Sequence, residues 1–292
     1  MATLMAVDGT NLLHRSYHAL ESTQMRSKSG TALWAVHGII GAIAKHMDAV
    51  EPSSLVVAFD MAGGCPSRKA LAPSYKQGRS ATPAELTEQL ILARSVIEAM
   101  GICVAEVQDW EADDVLATAA TQAGAAGARC VIVSSDKDAH QLISQRTQVY
   151  KPEGVWLDWA GVMDKYGIEA SRWVEYAALL GEGADNLSGV NGIGPKRAVA
   201  LLTAFSDIED AIADPKKAAE VTSAKVAQCL LDGVEGFRRN RQVGTLRRDL
   251  EVDLSSVHLK HVDLDQVREV AVAFELPQAG SRLSGAIGRV LR

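Results

Sequence analysis

Seven carboxylates fall where short apolar runs end or a helix begins: Asp8, Asp60, the Glu111, Asp113 and Asp114 group, and the Asp136 and Asp138 pair. Two unit charges about 4 Å apart repel by roughly 4 kcal/mol at an effective dielectric of about 20, so converging carboxylates need cations or protons. Oxygen-only ligand sets suit Mg2+ or Mn2+. Two such ions about 4 Å apart can stabilise both the attacking and the leaving oxygen of a phosphodiester. The chemistry indicated is metal-dependent phosphodiester hydrolysis.

Each cluster alone has an ordinary explanation. Acids at a helix start, as in Asp113-Asp114-Val-Leu, gain about 0.3 to 1 kcal/mol each from the helix dipole, and Asp136 with Asp138 reads equally as a solvated turn. Their joint placement at corresponding strand ends is what points to a shared metal basin. No Ser/His/Asp or Cys/His nucleophile system and no Walker loop is found, which favours metal-activated water over a covalent intermediate.

The elements that position these acids follow from periodicity. Four apolar runs, 4–7, 55–59, 102–107 and 130–133, read as buried parallel strands. Leu33, Val36, Ile40, Ile43 and Met47 mark a crossover helix over about 32–50. Thr82 as N-cap, Pro83 and Glu85 predict a second helix start, with Leu86, Leu90, Ala93, Ile97 and Met100 as its buried stripe and Gly101 as its stop. The alternation implies an α/β fold with a mainly parallel central sheet flanked by helices, in which Asp8, Asp60 and Asp136 lie at the ligand-binding strand ends. From about Gly161 the pattern turns helical, with segments at 173–180, 195–205 and 234–246.

At 292 residues and 47% hydrophobic content the chain has ample material for a core, and disorder is excluded. The net charge of -6 argues against a nucleic-acid partner only as an average. With about nine acids assigned to metal sites, the remaining balance is slightly positive. Cys65, Cys103, Cys130 and Cys229 form no CxxC pair, which fits a reducing cytoplasm. The N-terminus lacks signal-peptide features, and the apolar stretch 31–44 is too short to span a bilayer. A cytoplasmic protein without membrane contact is expected, nucleoid-associated in a bacterium.

The ordered segments Asp8-Gly-Thr-Asn-Leu-Leu with Arg15 and Tyr17, Phe59-Asp60, Tyr75-Lys76 with Arg79, Glu111-Ala-Asp-Asp, Ser135-Asp-Lys-Asp, Gly181-Glu-Gly-Ala-Asp-Asn and Gly189-Val-Asn-Gly-Ile-Gly-Pro-Lys carry a resemblance. Over nearly its whole length the chain resembles the 5′-nuclease family of flap endonucleases and 5′→3′ exonucleases, which includes the N-terminal nuclease domain of bacterial DNA polymerase I. The resemblance implies a PIN-like core with a helical arch and a helical lobe holding a helix-hairpin-helix element of the H3TH type. The implied divisions are a nuclease core over 1–165 with an arch near 66–100, and a DNA-binding lobe over 166–255 with the hairpin near 174–205. A segment at 256–292 would pack on the core.

By the same resemblance, Asp8, Asp60 and Asp113 would hold one divalent ion, and Asp113, Asp136, Asp138 and Asp185 a second. Glu111 would act through water, and Asp114 and Glu182 would complete the pocket. The family usually has Asp at the position of Glu182, Ser at Ala184 and Pro at Ser188, so one metal-binding turn departs from the pattern. Arg68, Tyr75, Lys76 and Arg79 would contact DNA from the arch. Lys76 and Arg79 would neutralise charge developing on the phosphate, and Tyr75 would stack on a base. An exposed basic loop is the plainer reading of the same residues.

Gly192, Gly194, Lys196 and Arg197 would grip duplex phosphates at a helix start, with K+ often bound in that element. A second basic run, Arg238, Arg239, Arg241, Arg247 and Arg248, reads equally as a solvated helix face or a DNA contact. His258 and His261 lie far from the acidic motifs. His14, His18 and His140 read as packing or surface residues, and Trp156, Trp159 and Trp173 as core. The implied activity is structure-specific hydrolysis of DNA 5′ flaps and 5′ ends in Okazaki-fragment processing and repair, by a monomer. Its substrates would have 5′ flaps, overhangs, nicks or gaps, with RNA–DNA hybrid 5′ ends as a further class. A PIN-like ribonuclease and a catalytically silent DNA-junction binder are the competing readings.

Overall fold

The computed structural model describes residues 2–61, 63–78 and 81–292. Strand β1 (Thr3–Asp8) is buried throughout because helices cover both faces of the sheet. Met5 and Val7 point into one apolar layer and Leu4 and Ala6 into the other, as period-two alternation requires. β1 pairs in parallel with β2 (Ser54–Ala58) and with β4 (Arg129–Val133), and β2 pairs with β3 (Cys103–Ala105). β5 (Thr147–Lys151) adds in parallel to β4, and β6 (Val155–Leu157) closes that edge antiparallel. The order is β3-β2-β1-β4-β5-β6. The four strands expected from sequence are the first four in chain order, with β3 at one edge of the sheet; β5 escaped because its run mixes apolar and polar residues, and β6 because it is only three residues long.

One layer holds α1 (Gly9–Leu20), α2 (Trp34–Val50) and α4 (Ala84–Ala99), joined by α13 (Leu264–Ala273) and α14 (Pro277–Val290) from the C-terminal segment. The short α3 (Pro66–Leu71) crosses above the sheet toward the helical part. The other layer starts with α5 (Ala112–Ala125) and α6 (Trp159–Tyr166) and continues into α7 (Trp173–Leu180), α8 (Pro195–Ala204), α9 (Ile208–Ala213), α10 (Pro215–Val221), α11 (Ala224–Asp232) and α12 (Val234–Gly244). A single apolar cluster runs from Leu4 and Ala6 through Val115 to Leu201 and Phe237, so the helical part shares its core with the sheet.

Three expectations need correction. Thr82 does not cap α4: Pro83 is the N-cap, no side chain caps it, and Glu85 is engaged by Arg26 at 2.6 Å. The range 66–100 includes α4, whose Leu86, Ala93, Val96 and Ile97 are core, so that helix is not part of a raised arch. Trp173 is buried, but Trp156 and Trp159 are 42% and 61% exposed, because the edge strand β6 and the outer face of α6 have no covering layer.

Two β-like residues after α7, Gly181 and Glu182, pair with Leu187 and Ser188. A Cβ on Gly189 would lie 2.2 Å from the Leu180 carbonyl carbon, and one on Gly181 2.2 Å from the Gly189 nitrogen. Only glycines permit this backbone crossing, which aims the turn at 182–185 toward the sheet. Among the described residues no helix is long and apolar enough to cross a membrane.

Candidate active site

The loops at the carboxyl ends of β1, β2 and β4 meet the start of α5. Asp8 ends β1 and caps α1, accepting from the Asn11 amide at 2.9 Å and from Ser134 Oγ at 2.8 Å. Asp60 accepts from the Ala112 amide at 2.7 Å, while its own amide donates to Thr10 Oγ1 at 2.9 Å. Ser134 Oγ also accepts from the Asp136 amide at 3.0 Å, and Asp136 Oδ1 from the Asp138 amide at 2.9 Å. Thr10, Asn11 and Ser134 thus hold the acids in place. All three lie inside the quoted motifs or beside them, but their supporting role was not read from sequence.

The carboxylates bear on one another electrostatically. Burial, with Asp60 and Asp136 nearby, pushes Asp8 up to about 7. Burial and then Asp136, Asp185 and Glu182 push Asp138 up to about 7. Asp113 is raised well above the usual carboxylate range by burial and by Asp8, Asp136, Asp138 and Asp60 together. Burial and Glu111 raise Asp60 against the Ala112 amide and Lys76. Asp113 therefore lies at the focus of the acidic set, and its Oδ1 is buried without a hydrogen-bond partner.

A narrow cleft opens beside this set, lined by Glu111, Asp113, Asp136 and Asp138 from the sheet side and by Glu182 and Asp185 from the turn after α7. Among the described residues, no three His, Cys, Asp or Glu side chains stand ready-made around one ion position, so ligation requires the carboxylates to swing inward. The donors are carboxylate oxygens, which suit a hard divalent cation, and the orphaned Asp113 Oδ1 is the atom such a cation would satisfy. The residues fit that group.

Other residues have different placements from those expected. Arg68 is 4% exposed, so it offers no surface to DNA: its guanidinium donates to Glu111, to both oxygens of Asp114 and to the Val243 carbonyl. Asp114 is fully buried in that pair. Tyr75 is 6% exposed and its hydroxyl donates to Glu111 at 3.0 Å, which leaves its ring no face for a base. Burial opposes ionisation of Glu111, but Lys76, at 2.5 Å, and Arg68 hold it below the usual range. Arg79 lies outside the described residues.

The hairpin between α7 and α8 presents Gly192 in a left-handed conformation (φ 75°), and Gly194 caps α8 with Pro195 in its first turn. Lys196 and Arg197 are exposed there. Arg197 Nη1 donates to the Gly192 carbonyl at 2.5 Å. Arg238 and Arg241 pair with Glu209, Arg247 with Asp249, and Arg248 with the Gln141 carbonyl, while Arg239 is exposed.

Residues 3–167 match the model of the 5′-3′ exonuclease N-terminal resolvase-like domain, and residues 168–267 that of the 5′-3′ exonuclease C-terminal SAM fold. The chain belongs to the 5′-3′ exonuclease family. Among its relatives, DNA polymerase I of Rhizobium leguminosarum is 34% identical across 97% of this chain and 27% of that protein. The thermostable DNA polymerase I of Thermus aquaticus is 31% identical across 91% of this chain and 31% of its own length. The chain thus spans less than a third of these relatives. A T5 5′-exonuclease with bound zinc superimposes with TM-score 0.68 at 19% identity, covering 99% of this chain and 100% of that one. The catalytic core of Rad2 in complex with a DNA substrate gives 0.62 at 16% identity, with 99% and 92% covered. At such identities these two establish a shared fold.

Proposed function

We propose that this protein is a structure-specific DNA 5′-nuclease, cutting 5′ flaps and 5′ ends in Okazaki-fragment processing and repair. The observation that carries the reading is the buried, unpartnered Asp113 oxygen at the centre of five mutually repelling carboxylates, since that arrangement calls for divalent cations. Asp8, Asp60 and Asp113 would hold one ion, and Asp113, Asp136, Asp138 and Asp185 another; the ions would be Mg2+ or Mn2+, supplying Lewis acidity toward the phosphodiester and its attacking water. Glu182, which caps its own turn by accepting from the Ala184 amide at 3.4 Å, would adjust the second site through its longer side chain.

Lys76 reaches the rim of the cleft, partly exposed and paired with Glu111, and is the cation available to offset charge on a scissile phosphate. Glu111 would set the position of that ammonium. Lys196, Arg197 and the amides at the start of α8 would hold the duplex by its phosphates, without reading sequence. The substrates would be 5′-flapped, nicked or gapped duplexes, including RNA–DNA hybrid 5′ ends.

The test is cleavage of an end-labelled 5′-flap duplex in Mg2+, Mn2+ or EDTA, beside single-stranded DNA and RNA. Short products released only with metal and only from the flap support the reading. Preferential cutting of RNA would assign a PIN-like ribonuclease, and tight duplex binding without cleavage a junction binder.

A further inference from the structure

Resting on the nuclease reading above, we infer that Arg68 is a positioning residue. Its buried guanidinium locks the loop carrying Lys76, the first turn of α5 and the end of α12 into one unit that fixes Glu111 and Lys76 at the rim of the acidic cleft.

Arg68 lies in α3, just ahead of the loop carrying Lys76, and its guanidinium has partners in two places, the end of α12 and the start of α5. Nε donates to the Val243 carbonyl at 2.8 Å, near the end of α12. Nη1 donates to Asp114 at 2.7 Å and Glu111 at 2.9 Å, and Nη2 to the other Asp114 oxygen at 2.8 Å. With its side chain only 5% exposed, Arg68 would have to abandon two buried carboxylates to meet a phosphate. Two cations, Arg68 and Lys76, face two anions, Glu111 and Asp114, so this quartet is neutral and adds no net charge to the basin.

The surrounding bonds extend the lock. Asp114 also accepts from the Arg247 amide at 2.9 Å and from the Glu111 amide at 3.2 Å. Gln141, three residues past Asp138, donates to the Gly244 carbonyl at 3.0 Å and accepts from the Leu246 amide at 3.1 Å. The Lys76 amide donates to the Asp185 carbonyl at 2.9 Å, and Asn186 Nδ2 donates to the Ser74 carbonyl at 3.0 Å. Lys76 is held at φ 55°, a left-handed conformation uncommon for a side-chain-bearing residue. Removing Arg68 would leave Asp114 and Glu111 repelling each other and release the loop. Lysine lacks the forked donor set and could not reach Asp114, Glu111 and Val243 together.

The test compares wild type, Arg68→Met and Arg68→Lys in three measurements: steady-state cleavage of a 5′-flap duplex in Mg2+, duplex affinity in Ca2+, and backbone hydrogen exchange along the chain. We expect Arg68→Met to lower kcat by about 100-fold, with KM and duplex affinity within about 3-fold of wild type. Exchange should quicken at 72–78, 111–115 and 243–247 alone, and Arg68→Lys should recover less than about a tenth of the lost turnover. A wild type that cuts no flap, with the same localised exchange change in Arg68→Met, would refute the nuclease reading and leave the lock standing. A raised KM at unchanged kcat would make Arg68 a DNA contact and overturn the inference. Uniformly faster exchange, with turnover falling only as the folded fraction falls, would overturn it as well.

Discussion

Asp113 concentrates the mutual repulsion of the candidate site in a single side chain. Its buried carboxylate sits among Asp8, Asp60, Asp136 and Asp138, and its raised pKa records the repulsion. Asp113→Asn should reduce cleavage on the order of 1000-fold while raising the metal-free melting temperature at pH 8 by roughly 2 to 4 °C, read by flap cleavage and calorimetry. An unchanged or lowered melting temperature would show that the acids do not strain one another. The same electrostatics fix a pH dependence. Asp8 and Asp138 have folded pKa values near 7 against an ordinary 3.8, so between those values the folded protein binds protons that the unfolded chain has released. Their contribution is most favourable below 3.8 and is lost as pH rises toward 7. Mn2+ displaces those protons, so its stabilising shift should be larger at pH 8 than at pH 5.5; equal shifts would contradict the linkage. At this scale the acids were legible because Asp and Glu at strand ends leave a chemical signature in the sequence. Arg68 and Tyr75 were not, since a basic and an aromatic residue in a polar loop look the same whether they face solvent or a buried Glu111.

At the scale of elements, the glycine crossing between α7 and the hairpin matters most. Gly189 and Gly181 let two backbones touch where any Cβ would meet backbone at 2.2 Å. Gly189→Ala should therefore cost about 2 to 5 kcal/mol of stability and displace the turn bearing Glu182 and Asp185, measurable by urea unfolding and by weakened cleavage. A loss below about 0.5 kcal/mol would mean the crossing is easily relaxed. Helices 173–180 and 195–204 were readable almost to the residue, because Gly181 and Pro195 punctuate them. The start of α4 was displaced by one residue because Glu85 found Arg26 instead of a capping box. The exposure of Trp156 and Trp159 depends on β6 being an edge, a matter of topology that periodicity does not report.

The whole molecule joins an acidic cleft to a basic hairpin through one continuous apolar cluster, so the net charge of -6 conceals two surfaces of opposite sign. The exposed Lys196 belongs to the basic surface. Lys196→Ala should weaken duplex binding evenly across sequences and reduce the slope of log affinity against log salt by about one. A change in sequence preference would imply base reading instead. The most direct measurement is anomalous scattering from crystals grown in Mn2+. Ions are expected beside Asp113, one shared with Asp8 and Asp60 and one with Asp136, Asp138 and Asp185. Manganese absent from this cleft, in a protein that still cuts flaps in the same buffer, would contradict a metal-dependent site here.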